Sequence, residues 1–172
     1  MNDSSDLIFM MAAMVLFSIL VNNSNRVFVR NNMMSVESSV EVNAIAMAQS
    51  LIDEARTKAF DRATTTASNE LGDPGTLTLG QIPSGFTPPA ALGPDAGEVY
   101  PNFNDFDDYH NLALTRTNGY GDFQIRATVS YVTPANPTVN AGTQTIMKRL
   151  EVVVSSDRLQ NTVTLSYNRT HF

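Results

Sequence analysis

Apolar residues fill the chain from Leu7 to Val21 (LIFMMAAMVLFSILV), and after a polar cluster at Asn22, Asn23, Ser24 and Asn25 they return at helical steps. Val29, Met33, Val36, Val40, Ala44, Met47, Leu51 and Ala55 follow the three- and four-residue spacing of one helical face. Arg30, Glu37, Glu41, Gln49, Asp53 and Arg56 fall mainly off that stripe. No glycine or proline interrupts Met1 to Leu71, because all nine glycines and eight prolines lie between Gly72 and Gly142. The pattern predicts one helix from Asp6 to about Arg62. At ~1.5 Å per residue it would be roughly 85 Å long, more than a small domain can cover. Its first part therefore has to be buried by other molecules, while Ala44 to Phe60 packs on the chain's own domain.

The helix is expected to fail in Ala63 to Asn69, where three successive threonines lose χ1 freedom and Asn69 can turn the chain. Gly72 to Pro101 carries six glycines and six prolines and reads as a long loop, with a short strand at Thr76 to Leu79 as its one candidate element. From Asp122 the period changes to two: Phe123, Ile125, Ala127, Val129 and Tyr131 alternate with polar residues. Thr145 to Val154 and Thr162 to Asn168 repeat this with weaker contrast, and the segments between them suit hairpins rather than helical crossovers. The expected fold is α+β: a long N-terminal α-helix with a protruding apolar half, and a three-stranded or slightly larger antiparallel sheet packed on its C-terminal half. Residues 1–28 form the apolar segment, 29–62 the amphipathic continuation, 63–121 a variable loop region and 122–172 the sheet.

Composition narrows the function. The net charge is −6 with scattered basic residues, which is not the footprint of a nucleic-acid binder. The absence of cysteine rules out disulfides, thiolate metal sites and a cysteine nucleophile. No nucleophile elbow, phosphate-binding glycine loop or acid/base pair is evident, so no enzyme activity and no cofactor are expected. His110 and His171 have no metal spacing. Asn102, Asn104, Asp105, Asp107 and Asp108 offer oxygen ligands without the EF-hand pattern, and read as a surface loop rich in Asx turns rather than a calcium site. Methionines such as Met33, Met34 and Met47 read as adaptable packing residues.

The run Leu7 to Val21 would span only ~23 Å as a helix against a bilayer core of ~30 Å. Asp3 and Asp6 precede it and bulky Leu20 and Val21 end it, which disfavours a cleaved signal peptide. Arg26 and Arg30 follow the run with no basic residue before it, so the positive-inside rule taken literally puts the body in the cytoplasm. A processed chain that has lost a basic leader removes the conflict, with Met1 then not the initiator.

This order of elements resembles the type IV pilin and type II secretion pseudopilin superfamily. The local sequence FNDFDDYHNL at Phe103 to Leu112 is similar to the Asp-Asp-Tyr loop of some minor and mannose-sensitive-haemagglutinin-type prepilins. Where that family usually begins with Phe or Met, a Thr-Leu pair and an acid, this chain has Met1 followed by Asn2, Asp3, Ser4, Ser5 and Asp6. The resemblance implies a filament subunit that sits in the inner membrane before assembly and then polymerises with copies of itself. Its implied partners are the pilus assembly machinery and a prepilin peptidase, and Met1 would be the processed and methylated residue. The filament core would be Leu7, Ile8, Phe9, Met10, Met11, Met14, Val15, Leu16, Phe17, Ile19, Leu20 and Val21, with Asn22 to Asn25 where the family's helix melts on assembly. Asp6, or secondarily Asp3, would pair with a neighbouring subunit's amino terminus; by itself the sequence equally allows Asp6 to be a first-turn acid facing water. A minor pilin or pseudopilin of a secretion or DNA-uptake machine, and a membrane-anchored binding module that never polymerises, are the other readings.

Overall fold

The structure is a computed structural model that describes residues 3–66 and 73–171, the side chains of Asp3, Ser5 and Asn32 excepted. A single α-helix, α1 (Asp3–Arg56), is followed by four 3-10 turns at Arg62–Thr64, Leu79–Gln81, Pro89–Ala91 and Asp107–Tyr109, and then by β1 (Leu112–Asn118), β2 (Gly121–Tyr131), β3 (Met147–Ser155) and β4 (Val163–Thr170). The fold is α+β. By its contacts the chain divides into two units, Met1–Val40 and Glu41–Phe172.

In the first unit every described residue is helical, and α1 passes through Asn22 to Asn25 without a break. Burial along the helix begins at Val40. Of the expected apolar stripe, Val29, Met33 and Val36 are exposed and Met47 is half-buried. In the second unit Ala44, Ala48, Leu51, Ile52 and Ala55 are buried. Three of these five are alanines.

The helix ends at Arg56, short of the expected Arg62. The Thr57 N–H and hydroxyl both turn back on the Glu54 carbonyl (3.1 and 2.7 Å), and the Lys58 N–H donates to Ala55 (3.2 Å). This tightened turn satisfies the last carbonyls. Tertiary pairing takes the next residues out of the helix. The Ala59 N–H donates to Asn104 and its carbonyl accepts from the Phe106 N–H. Phe60 enters a core cluster with Phe86 and Tyr131, and Asp61 caps the first 3-10 turn. The strand expected at Thr76 to Leu79 does not form. Leu77 packs on the Phe60 cluster, and the Gln81 side chain accepts from the Thr78 N–H (2.8 Å), closing a 3-10 turn instead.

The sheet is a meander, β1-β2-β3-β4, antiparallel throughout. β2 buries Phe123, Ile125, Ala127, Val129 and Tyr131 on one face, as the alternation predicts. β3 buries Lys148, Leu150, Val152 and Val154. Each fully buried Val, Leu, Ile or Phe contributes ~1.5–3 kcal/mol, so these two strands supply much of the cohesion of the second unit. β1 is the strand missing from the sequence-based expectation. It is an edge strand, half-buried at Leu112, Leu114 and Asn118 and exposed elsewhere, and it joins β2 through the two-residue loop Gly119–Tyr120.

Candidate functional site

Two features stand out, one in each unit. The first is the uncovered apolar surface of α1. All twelve side chains expected in a filament core are exposed, from Leu7 (60%) to Phe9 (74%) and Val21 (50%), and the exposed series continues with Val27, Phe28, Val29, Met33 and Met34. The helix contains a stretch long and apolar enough to cross a membrane. Asn22 to Asn25 are exposed helical residues within the same series, and one turn before them the Ser18 hydroxyl bonds back to the Met14 carbonyl at 2.8 Å, so its polarity is met within the helix. Asp6 is exposed at the head of the run. Met1 and the side chain of Asp3 lie outside the described residues.

The second feature is an ionic network in the core of the other unit. Lys148 stands on the inward face of β3 and is 0% exposed. Its Nζ donates to Asp107 Oδ1 (2.6 Å), Asp61 Oδ2 (2.7 Å) and the Phe60 carbonyl (2.9 Å). The rings of Phe60 and Tyr131 lie 4.7 and 5.2 Å from the nitrogen and help to shut out water. Asp61 is held from both sides: Oδ1 accepts from the Ala63 N–H (3.1 Å) and the Thr87 hydroxyl (3.2 Å), and Oδ2 accepts from the Thr87 N–H (2.9 Å) and the Tyr131 hydroxyl (3.3 Å). Burial opposes its charge, but Lys148 and these hydrogen bonds outweigh burial and keep the Asp61 carboxyl below its usual range.

The loop Asn102 to Asp108 is only partly on the surface: Asn102 and Asn104 are exposed, and the rest of it turns inward. Phe103, Asp105, Phe106, Asp107, Asp108 and Tyr109 are all buried. The Asx turns expected of it are present: Asp105 Oδ1 accepts from the N–H groups of Asp107 (2.9 Å) and Asp108 (3.3 Å). Asp108 Oδ2 accepts from those of Asn104 (2.9 Å) and Asp105 (3.1 Å). Phe103, Phe106 and Tyr109 draw the loop inward, and the carboxylates follow because backbone donors and Lys148 receive them. Burial first, then the charge and hydrogen bond of Asp107, push Asp105 up to about 9, so it is a protonated acid at neutral pH. Burial likewise raises Asp108 to about 6 against its backbone hydrogen bonds, with Glu98 adding to the rise. Glu54 accepts from the hydroxyls of Tyr109 (2.8 Å) and Tyr100 (3.0 Å), fastening the same loop to α1. Among the described residues no group of three or more His, Cys, Asp or Glu side chains is arranged to hold a metal ion.

The alternation places Tyr131 on the core face of its strand, but nothing in the sequence singles out Lys148 or Asp61 as its polar partners. The available signal was parity: in TIMKRLEVVV, Lys148 shares its face with Leu150, Val152 and Val154.

No family model matches the chain, and no curated protein or solved structure matches it either. The likeness to pilin-type subunits accordingly rests on architecture, a long apolar N-terminal helix with an antiparallel sheet packed against it.

Proposed function

We propose that the chain is a structural subunit of a type IV pilus-like extracellular filament, polymerising through its N-terminal helix. The observation that supports this most directly is the exposed series Leu7 to Val21, on a helix whose burial begins only at Val40. Large contiguous apolar surfaces are not left in water and mark a membrane or protein contact. A membrane covers this one before assembly, and neighbouring copies cover it afterwards. On this reading the protein has no enzymatic role. A prepilin peptidase processes it, and the assembly machinery draws the helix out of the inner membrane. Asp6 enters the filament core paired with the amino terminus of a neighbour.

Electron microscopy of purified surface fibres, with mass spectrometry of their main band, tests the proposal. The expected result is this chain as the principal component. Recovery in a few copies at a fibre tip or secretion complex would make it a minor pilin or pseudopilin, and recovery only in membrane fractions would make it an anchored binding module.

A further inference from the structure

The second unit (the head, Glu41–Phe172) has no cysteine, yet it buries a primary amine against the carboxylates of Asp61 and Asp107, with the buried carboxyl of Asp105 next to Asp107, in a pocket closed by aromatic rings. A lysine and an aspartate held in contact without water are the reactants of an amide condensation, and a third acid beside them supplies the proton relay. We propose that Lys148 and Asp107 are a modification site that closes into an intramolecular amide, joining Lys148 Nζ to Asp107 Cγ, with Asp105 as the acid that shuttles the proton.

The geometry separates the roles of the carboxyl groups. Both oxygens of Asp61 are engaged by backbone and side-chain donors, so losing either would strand the Ala63 or Thr87 N–H. Asp107 Oδ1 accepts from Lys148 at 2.6 Å and from no backbone donor among the described residues, and Asp105, whose Oδ1 accepts from the Asp107 N–H at 2.9 Å, holds beside it a carboxyl that burial raises to about 9. Asp107 is therefore the acceptor and Asp61 the anchor that orients the amine. In the reaction the nitrogen attacks Asp107 Cγ, a C–N bond forms and one C–O bond breaks. The departing oxygen leaves as water with two of the three ammonium protons, relayed through Asp105, and the third remains as the amide N–H. The charge of the site is unchanged and no oxidant or cofactor takes part. Both ion pairs of Lys148 disappear with its charge, which removes the desolvation cost of the ammonium and of Asp107, while the Asp61 carboxylate keeps its donors from Ala63, Thr87 and Tyr131. The bond closes a loop over a separation of 41 residues that contains β1 and β2, fastening the Asp-rich loop to a central strand.

The site does not depend on whether the chain polymerises. The test is the mass of the full chain, extracted in detergent and then denatured. The expected mass is lower than the sequence mass by one water, the deficit survives mild alkali that would open a succinimide, and fragmentation joins the Lys148 peptide to the Asp107 peptide. Asp107→Ala restores the full mass even where the variant fails to fold. Asp105→Asn slows closure by about a hundredfold, the scale of a lost general acid. An unreduced mass, with Lys148 acylated by an amine reagent after denaturation, overturns the proposal. A link to Asp61 overturns the choice of acceptor, and closure of Asp105→Asn at the wild-type rate overturns the proton relay.

Discussion

Removing residues 1–28 should leave a soluble, monomeric, folded head, and the size of the effect follows from where burial begins. Among its described residues the deleted segment carries fourteen exposed large apolar side chains, Leu7 through Phe28, and none that is buried. At ~1.5–3 kcal/mol per side chain, their transfer out of water is worth roughly 20–40 kcal/mol to a membrane or to neighbouring subunits. Their loss from the head's own core is worth nothing. Substitutions away from buried features shift stability by about 0.5 kcal/mol or less, and for a domain of this size 1 kcal/mol moves the melting temperature by ~2–4 °C.

The truncated protein should therefore melt within about 2 °C of the head transition seen for the full chain in detergent. It should sediment as a monomer in plain buffer, where the full chain aggregates. Circular dichroism melts and analytical ultracentrifugation read both quantities. A truncated head with no cooperative transition, or one weakened by more than about 2 kcal/mol, would refute the assignment of the core to the helix beyond Val40.

Lys148→Met leaves Asp107 a buried carboxylate without the Lys148 nitrogen, whether that nitrogen is held as an ammonium or in the proposed amide, and should cost the truncated head about 3–5 kcal/mol in urea denaturation, with partial recovery when Asp107→Asn is added. Asp108 has a folded pKa raised from 3.8 to about 6, so its contribution to stability is complete below pH 3.8 and is lost as pH rises through 6. Asp108→Asn should flatten the stability profile across that window by on the order of 1 kcal/mol after allowance for solvent screening; identical profiles for variant and wild type from pH 4 to 7 would contradict this. If the filament proposal holds, Asp6→Ala strands a neighbour's amine in an apolar core, cutting surface fibre yield while leaving the melting temperature of the head unchanged. Normal fibre yield would make Asp6 a solvated first-turn acid.

The long helix and the β2 to β4 meander were legible in the sequence because their periods are strong: a breaker-free run, and strict alternation from Phe123 to Tyr131. β1 was harder to see because Leu112 and Leu114 are its only large apolar residues, as suits an edge strand, although Asn118–Gly119 is a hairpin signal. The end of α1 depends on contacts that local propensity cannot anticipate, since Ala59 leaves the helix to pair with Asn104 and Phe106. The buried acids were misplaced for a similar reason. Composition marks Asp105, Asp107 and Asp108 as surface residues, and only the three-dimensional arrangement brings Lys148, from a strand 41 residues beyond Asp107, to receive one of them.

The ionic network has a further consequence for how the fold is specified. A buried ion pair is a poor source of net stability, because well-packed apolar side chains of the same volume do as well or better. What it adds is discrimination between registers. In β3 the inward positions are Lys148, Leu150, Val152 and Val154, and the outward ones include Arg149 and Glu151. A slip of one residue would turn Lys148 to solvent, bring Arg149 and Glu151 toward the core, and leave Asp61 and Asp107 facing each other without a cation. Arg149 and Glu151 oppose such a slip whatever stands at position 148, and Lys148 adds the loss of both its carboxylate contacts to that cost. The lysine thus reinforces the register of β3 against β2 and β4, and because its two partners come from the segment after α1 and from the Asp-rich loop, it fixes the seating of both on the sheet.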